Sequence, residues 1–471
     1  MKIKEVIEKI NGFSLVLNNE DKTYRFSATR EYASCLNEDY IYLPLIENRE
    51  ENLFEELKAH LSNACCKGFF IDKKILDEPE NQNSYHKLMK EFSSKIEVIV
   101  LVRNVFNSAL KICEENVDRY MPQIVSISGS EEKSVLVNMV SYMLSQKGAT
   151  LASVLSGGPW QKLFEPLLLI NENTKYCVID IDSRKTNVSQ NAGKMLKNNT
   201  VLFSKTSVNY SNLYKGAQNY LFEITSILDY PENVKKVFTY EENDLVNTYI
   251  GQCENLEFIY ESQIKSGILN KKFSKTKMLN IKYGDLELET GNFSYFIPRC
   301  AVMSAMCAKY LGADDKTVKK CFKHFKDISG TLIENRLENN NYSVLSTLEH
   351  THFSTVNAIK TFCKKYKDYK KILVLSRIIG LGEYDRELHN DIIRQAAGEK
   401  FDTIVLIDMS DWGAYYRTLD KFAHIRKFSS KNNKLDEREL MDIGLFLKGK
   451  TDSNTALLVC TSPSLNLEFL F

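Results

Sequence analysis

Apolar residues recur along this chain in two rhythms, and their alternation predicts most of its elements. Near the start, Gly12–Leu17 and Tyr40–Leu43 read as strands. Between Asn52 and Asn63, a 3.6-residue period sets Leu53, Phe54, Leu57 and Leu61 on one side of a helix. The apolar run Cys66–Ile71 follows, so residues 1–100 are expected to form a small α/β unit. Over 101–328 the pattern predicts a helix around Asn107–Val117 and strands at Tyr176–Ile181, Thr200–Phe203, Leu256–Tyr260 and Phe293–Phe296. The helix expected from Cys300 to Leu311 is rich in alanine and methionine and almost free of charge, so it should be buried. Over 329–471, strands at Tyr342–Leu345, Lys371–Leu375, Thr403–Ile407 and Ala456–Val459 enclose helices at Ser354–Tyr366 and Arg386–Ala397. Strand and helix alternating in this way predict an α/β chain with parallel, doubly wound sheets.

Length and composition narrow the class. A chain of 471 residues exceeds one compact core, so two or three domains are expected. Hydrophobic residues at 43% and charged residues at 26% match an ordinary globular protein. A formal charge of +1 gives no electrostatic case for nucleic acid. The basic run Lys364–Lys371, with its interleaved tyrosines, is then expected to be a solvated helix end and turn. No apolar run approaches the roughly 18 residues of a membrane span, and Met1–Val6 lacks a signal core. Eleven cysteines at irregular positions, without a C-x-x-C pair, suggest reduced thiols and a cytoplasmic location.

The chemistry concentrates in Ser126-Ile127-Ser128-Gly129-Ser130-Glu131-Glu132-Lys133-Ser134. A strand ending near Val125 precedes it, and the helical pattern Val135–Val140 follows it. That is the strand–loop–helix setting in which G-x-x-G-K-[ST] backbone amides cradle nucleotide phosphates. Gly129, Lys133 and Ser134 fit the motif, but Glu132 stands at its second glycine and Glu131 precedes it. A carboxylate about 4 Å from a phosphate, at an effective dielectric near 20, costs on the order of 4 kcal/mol. That equals about the whole free energy of millimolar binding. Lys133 is therefore expected to pair with Glu131 or Glu132, leaving the loop self-satisfied; residual nucleotide binding is the alternative.

With these segments in order, the chain resembles the Mur ligases, ATP-dependent amide ligases of peptidoglycan synthesis, and among them most the MurF type. Ala28-Thr29-Arg30 stands at the family's Asp-Ser-Arg turn, and Glu38–Leu43 at its Gly-Asp-Leu-Phe-Val-Ala. Asn63-Ala64 with Gly68–Asp72 is similar to its asparagine-glycine-alanine and apolar strand. Leu381-Gly382-Glu383-Tyr384 and Glu387-Leu388-His389 resemble its leucine-glycine-glutamate run, and Ser329-Gly330 its glycine turn. The resemblance implies three domains: a UDP-sugar-binding-like unit at 1–100, a P-loop-type ATPase-like unit at 101–328 and a Rossmann-like unit at 329–471. It implies ATP and magnesium as cofactors, with Asp180 at the magnesium-binding glutamate, and a UDP-sugar-type ligand.

Several family residues are replaced. No histidine occurs at Ser207–Asn209 and no lysine at Asn219–Leu221. Gly157-Gly158-Pro159-Trp160-Gln161 stands for the asparagine-rich loop, Arg299-Cys300 for a histidine-asparagine pair, and Thr331 for an arginine. Glu349-His350-Thr351-His352-Phe353 replaces a tyrosine-asparagine loop. Trp160 is expected either to fill the vacated cleft or to pack in the core. Asp180 is either a remnant metal ligand or a strand-end residue partnered by Asp182 and Arg184. His350 and His352, with His389 as a third ligand, would suit a metal; an ordinary loop is the simpler expectation. Two functions follow: a MurF-like binding or scaffolding module with weakened ATP chemistry and a ligand or protein partner, or a divergent ATP-dependent carboxylate–amine ligase.

Overall fold

The computed structural model describes residues 2–29, 33, 36–45, 53–153, 158–207, 211–251, 253, 255–270, 277–291, 294–325, 331–346, 350–409, 419, 421–430, 434–465 and 467. Sequence readings at Arg30, Asn52, Gly157, Asn209, Phe293, Ser329, Gly330 and Glu349 lie outside them. Among the described residues, no helix is long and apolar enough to cross a membrane.

Four parallel strands near the N-terminus run in the order Val98–Val102, Cys66–Asp72, Tyr40–Tyr42, Arg25–Ser27. The strand Phe13–Leu17 joins Val98–Val102 antiparallel. The amphipathic helix Leu53–Ser62 buries Leu57 and Leu61 against this sheet, as its period requires.

The next sheet has six parallel strands, ordered Leu256–Ile259, Val234–Tyr240, Asn199–Phe203, Gln123–Ser128, Tyr176–Asp180, Thr150–Ala152. Its inner strands are buried along their whole length at Tyr176–Asp180 and Asn199–Phe203, as sheets covered on both faces must be. One face carries the helices Lys133–Ser145 and Ile297–Tyr310. The other carries Val105–Tyr120 and Pro159–Leu168, in one apolar cluster shared with the N-terminal sheet. Each fully buried Val, Leu or Ile in these clusters contributes about 1.5–3 kcal/mol, so the sheet fixes the loops at its end.

Those loops diverge. From Ser128 the chain crosses toward Tyr176–Asp180, and from Phe203 it crosses the opposite way, to Val234–Tyr240. The crevice between the strand ends is a topological switch point, the place where ligands bind in open α/β sheets.

Ser294–Phe296 is not a strand. It is a turn into the buried helix Ile297–Tyr310, with Pro298 in the first helical turn, where its fixed φ suits a helix start. A three-stranded antiparallel sheet, Lys265–Asn270, Lys277–Tyr283 and Leu286–Thr290, precedes it.

The last sheet is ordered Thr331–Arg336, Tyr342–Ser346, Thr455–Cys460, Lys370–Ser376, Thr403–Ile407, His424–Phe428, parallel except for the first pair. The helices His352–Lys365 and Asp385–Gly398 lie on one of its faces.

Candidate functional site: the phosphate-loop crevice

The loop after Gln123–Ser128 begins at Gly129, whose φ of +126° is open to glycine alone. A Cβ there would stand 2.2 Å from Ser204 Oγ, so the loop lies directly on the neighbouring strand's end. Two loop amides, those of Ser130 and Glu131, donate to the Lys205 carbonyl at 3.4 and 3.0 Å. The Ser130 hydroxyl and the Ser207 backbone exchange two more hydrogen bonds, of 3.1 and 2.6 Å. Donors of the kind that would cradle phosphate are thus turned onto the segment 204–207.

Glu132 holds the second glycine position in the left-handed conformation, at φ 63°, which costs a residue with a Cβ roughly 1 kcal/mol. Its carboxylate takes both arms of Arg299, Nε at 2.8 Å and a terminal nitrogen, and accepts from Cys300 Sγ at 3.4 Å. Burial works against the Arg299 charge, yet Glu132 outweighs it and holds the guanidinium's pKa above its usual value. Arg299 also lies 5.1 Å from the Phe353 ring centre and 5.6 Å from that of Tyr295. Glu131, fully buried, accepts from the hydroxyls of Ser207 and Thr351, the latter at 2.6 Å.

Lys133 pairs with neither glutamate. Its Nζ lies 2.9 Å from Asp180 Oδ1 and donates to the Ile181 carbonyl at 2.8 Å. The other Asp180 oxygen takes Lys162 at 2.8 Å, and Lys162 reaches Asp182 at 3.2 Å. Arg184 grips Asp182 through Nε and a terminal nitrogen at 2.6–3.0 Å. The expectation that Asp182 and Arg184 partner Asp180 is therefore corrected: Arg184 serves Asp182, and Asp180 is held by Lys133 and Lys162. Burial alone would raise both aspartates, but Lys133 and Lys162 outweigh it and depress their pKa values. Lys162, penalised by the same burial, is kept charged by Asp180 and Asp182. Ser134 sits half-buried in the first turn of the helix, its carbonyl accepting from the Asn138 amide.

The structure thus brings Gly129, Lys133, Ser134 and Asp180 to one crevice. It adds Lys162, Arg299, Ser207 and Thr351, which the reading of the loop alone does not supply. One signal pointed to Lys162: it is the single cation in the largely apolar helix Pro159–Leu168, whose other polar residues are Gln161 and Glu165. That helix enters the crevice through Lys162, not Trp160. The Trp160 ring packs on Phe106 and Phe164, facing the N-terminal sheet.

Among the described residues, the alternative of a metal site on His350, His352 and His389 is not formed. His352 opens a helix and bonds Asp391 at 2.9 Å, while His389 accepts from the Ile378 amide and bonds the Asp385 carbonyl. Burial pushes His350 down to about 3. Among the described residues, no group of three or more His, Cys, Asp or Glu is placed to hold a metal.

The residues as arranged do not fit a nucleoside triphosphate with its magnesium. The amides of Ser130 and Glu131 bond a carbonyl, the lysine has a carboxylate, and each oxygen of the candidate metal ligand lies within 2.9 Å of a lysine.

No protein-family model matches the chain, and no curated protein sequence matches it. Solved structures do. The chain has the fold of the Mur ligases, enzymes that include a pseudomurein peptide ligase type C from Methanothermus fervidus (TM-score 0.58, 12% identity, 93% of this chain and 94% of that one). Its match to MurF structures is of full length. MurF from Acinetobacter baumannii aligns with 100% of this chain and 97% of its own, at TM-score 0.74 and 12% identity. MurF ligase from Thermotoga maritima, solved in complex with ADP, aligns over 95% and 96% at TM-score 0.68 and 12% identity.

Proposed function

We propose that this protein is a MurF-like binding or scaffolding module of cell-envelope metabolism whose ATP-dependent ligase chemistry is lost or strongly weakened. One observation carries the reading: Lys133 and Asp180, the groups a ligase would turn to phosphate and magnesium, neutralise each other in the crevice. Displacing them would strand a buried lysine or aspartate, which costs several kcal/mol. Glu131 and Glu132 add negative charge where phosphates would lie.

Under this reading the chain comprises three units, at 1–100, 101–328 and 329–471, and works in the cytoplasm. The first two keep a cavity of about 370 Å³ between them, lined by Leu45, Ile71, Asn104, Phe106, Trp160 and Lys185. It lies beyond the ends of the strands Cys66–Asp72 and Val98–Val102, where an α/β sheet takes a ligand. Its aromatic side chains Phe106 and Trp160, with Lys185 offsetting Asp72 on the same lining, would suit a UDP-sugar-type molecule, and a protein partner would use the scaffold around it. Titration calorimetry tests both halves: heat is expected with a UDP-sugar and none with Mg-ATP. Heat with Mg-ATP would overturn the proposal.

A second reading, a divergent ATP-dependent ligase joining an amine to a carboxylate, is favoured by another cavity of about 750 Å³. It is lined by Arg377, Asp385, Asp408, Lys427 and Ser430, with Asn212 from across the crevice. Its mixed charges suit a small zwitterion. In that case Lys133 would neutralise phosphates, Ser134 would serve the magnesium ion and Asp180 would bind it. ADP release that depends on an added amine would establish this reading.

A further inference from the structure

The two glutamates of the loop do more than occupy space: each reaches, directly or through one residue, to the first residues of the helix His352–Lys365. Glu131 Oε2 accepts from Thr351 Oγ1 at 2.6 Å, while the same hydroxyl caps the helix by accepting from the Ser354 amide at 3.1 Å. A carboxylate at a helix N-terminus is favoured by the helix dipole. Glu132 holds Arg299, whose guanidinium lies 5.1 Å from the ring of Phe353, two residues on from Thr351. Ser207 completes the Glu131 carboxylate from the other wall of the crevice. Residues distant in sequence therefore meet at one joint between the central and C-terminal sheets, and buried carboxylates tie it.

We propose that the loop 129–133 is an interdomain clasp, which holds the C-terminal sheet on the central one. The clasp rests on the filled crevice described above, and gives Glu131 and Glu132 a positive role there. Thr351 and Arg299 are its positioning residues.

Hydrogen exchange on the full-length protein tests this. In Glu131→Ala, amides of His352–Lys365 are expected to exchange about tenfold faster, equivalent to about 1.4 kcal/mol, with the N-terminal sheet unchanged. Glu131→Gln, which keeps an acceptor for Thr351, should show a smaller increase. Thr351→Val added to Glu131→Ala should raise exchange further in the first turn of that helix, because it also removes the cap on the Ser354 amide. Unchanged exchange in Glu131→Ala overturns the clasp, and so does an equal rise across the N-terminal sheet. Mg-ATP binding to the wild-type protein is a separate readout: it would sink the filled-crevice reading and leave the clasp to be judged by exchange alone.

Discussion

Lys133 Nζ and Asp180 Oδ1 lie 2.9 Å apart, at the end of the strand and the start of the helix that frame the crevice. Both are almost wholly buried, and Lys162 closes the same carboxylate from the other side. The aspartate is shared by two cations, so its removal and the removal of one lysine are not equivalent.

Asp180→Asn leaves two buried ammonium groups short of their common counter-ion. It is expected to destabilise the protein by about 3–5 kcal/mol, the range for breaking a buried pair. Lys133→Met leaves Asp180 on Lys162 and should cost less, roughly 1–3 kcal/mol. Urea denaturation of the two variants checks the order, and a larger loss in Lys133→Met would contradict the pairing.

Restoring glycine at Glu132 would relieve the left-handed backbone by roughly 1 kcal/mol. It would also take the bidentate partner from Arg299, which then keeps Glu261 at 3.5 Å. A net loss of about 1–3 kcal/mol is expected. The double variant Glu131→Gly, Glu132→Gly should gain no nucleotide binding, because Lys133 and the loop amides stay engaged. Nucleotide titration of that variant decides whether the two side chains alone obstruct the crevice.

Glu165 provides a pH test away from the crevice. Its carboxyl accepts from the Ser27 hydroxyl and the Ala28 amide, both at 2.6 Å. Burial outweighs these donors and raises its pKa to about 7. An acid with a raised folded pKa binds its proton more tightly when folded. Its contribution to stability is complete below the unfolded value near 4.3 and is lost as pH rises through about 7. A loss of up to a few kcal/mol between about pH 4.3 and 7 is expected, and Glu165→Gln should flatten it. Denaturant midpoints across that range check the prediction; a midpoint that rises with pH in the wild type and not in the variant would contradict it.

Several strands were readable because they are short apolar runs between amphipathic helices, whereas Val98–Val102 and Val234–Tyr240 were not picked out and Gln123–Ser128 is interrupted by Ser126. The runs at Tyr176, Asn199, Thr403 and Thr455 are buried throughout. The phosphate loop was readable for a local reason: glycine, lysine and serine keep their spacing after a strand. Its partners were not. Expecting Lys133 to pair with Glu131 or Glu132 rested on nearness along the chain. The true partners come from distant segments, namely Asp180, Arg299, Ser207 and Thr351. No period or motif reports which cation a buried carboxylate will find. Phe293–Phe296 misled because an aromatic run before a proline reads equally as a strand or as the approach to a helix.

Thermal unfolding with and without millimolar Mg-ATP tests the central claim most directly. A ligand present at about 100 times its Kd contributes about 2.7 kcal/mol of stabilisation. That is roughly 5–11 °C for a domain of the central unit's size. The account predicts no change in Tm, for the wild type and for Lys133→Ala alike. An upward shift of several degrees in the wild type, abolished by Lys133→Ala, would contradict it.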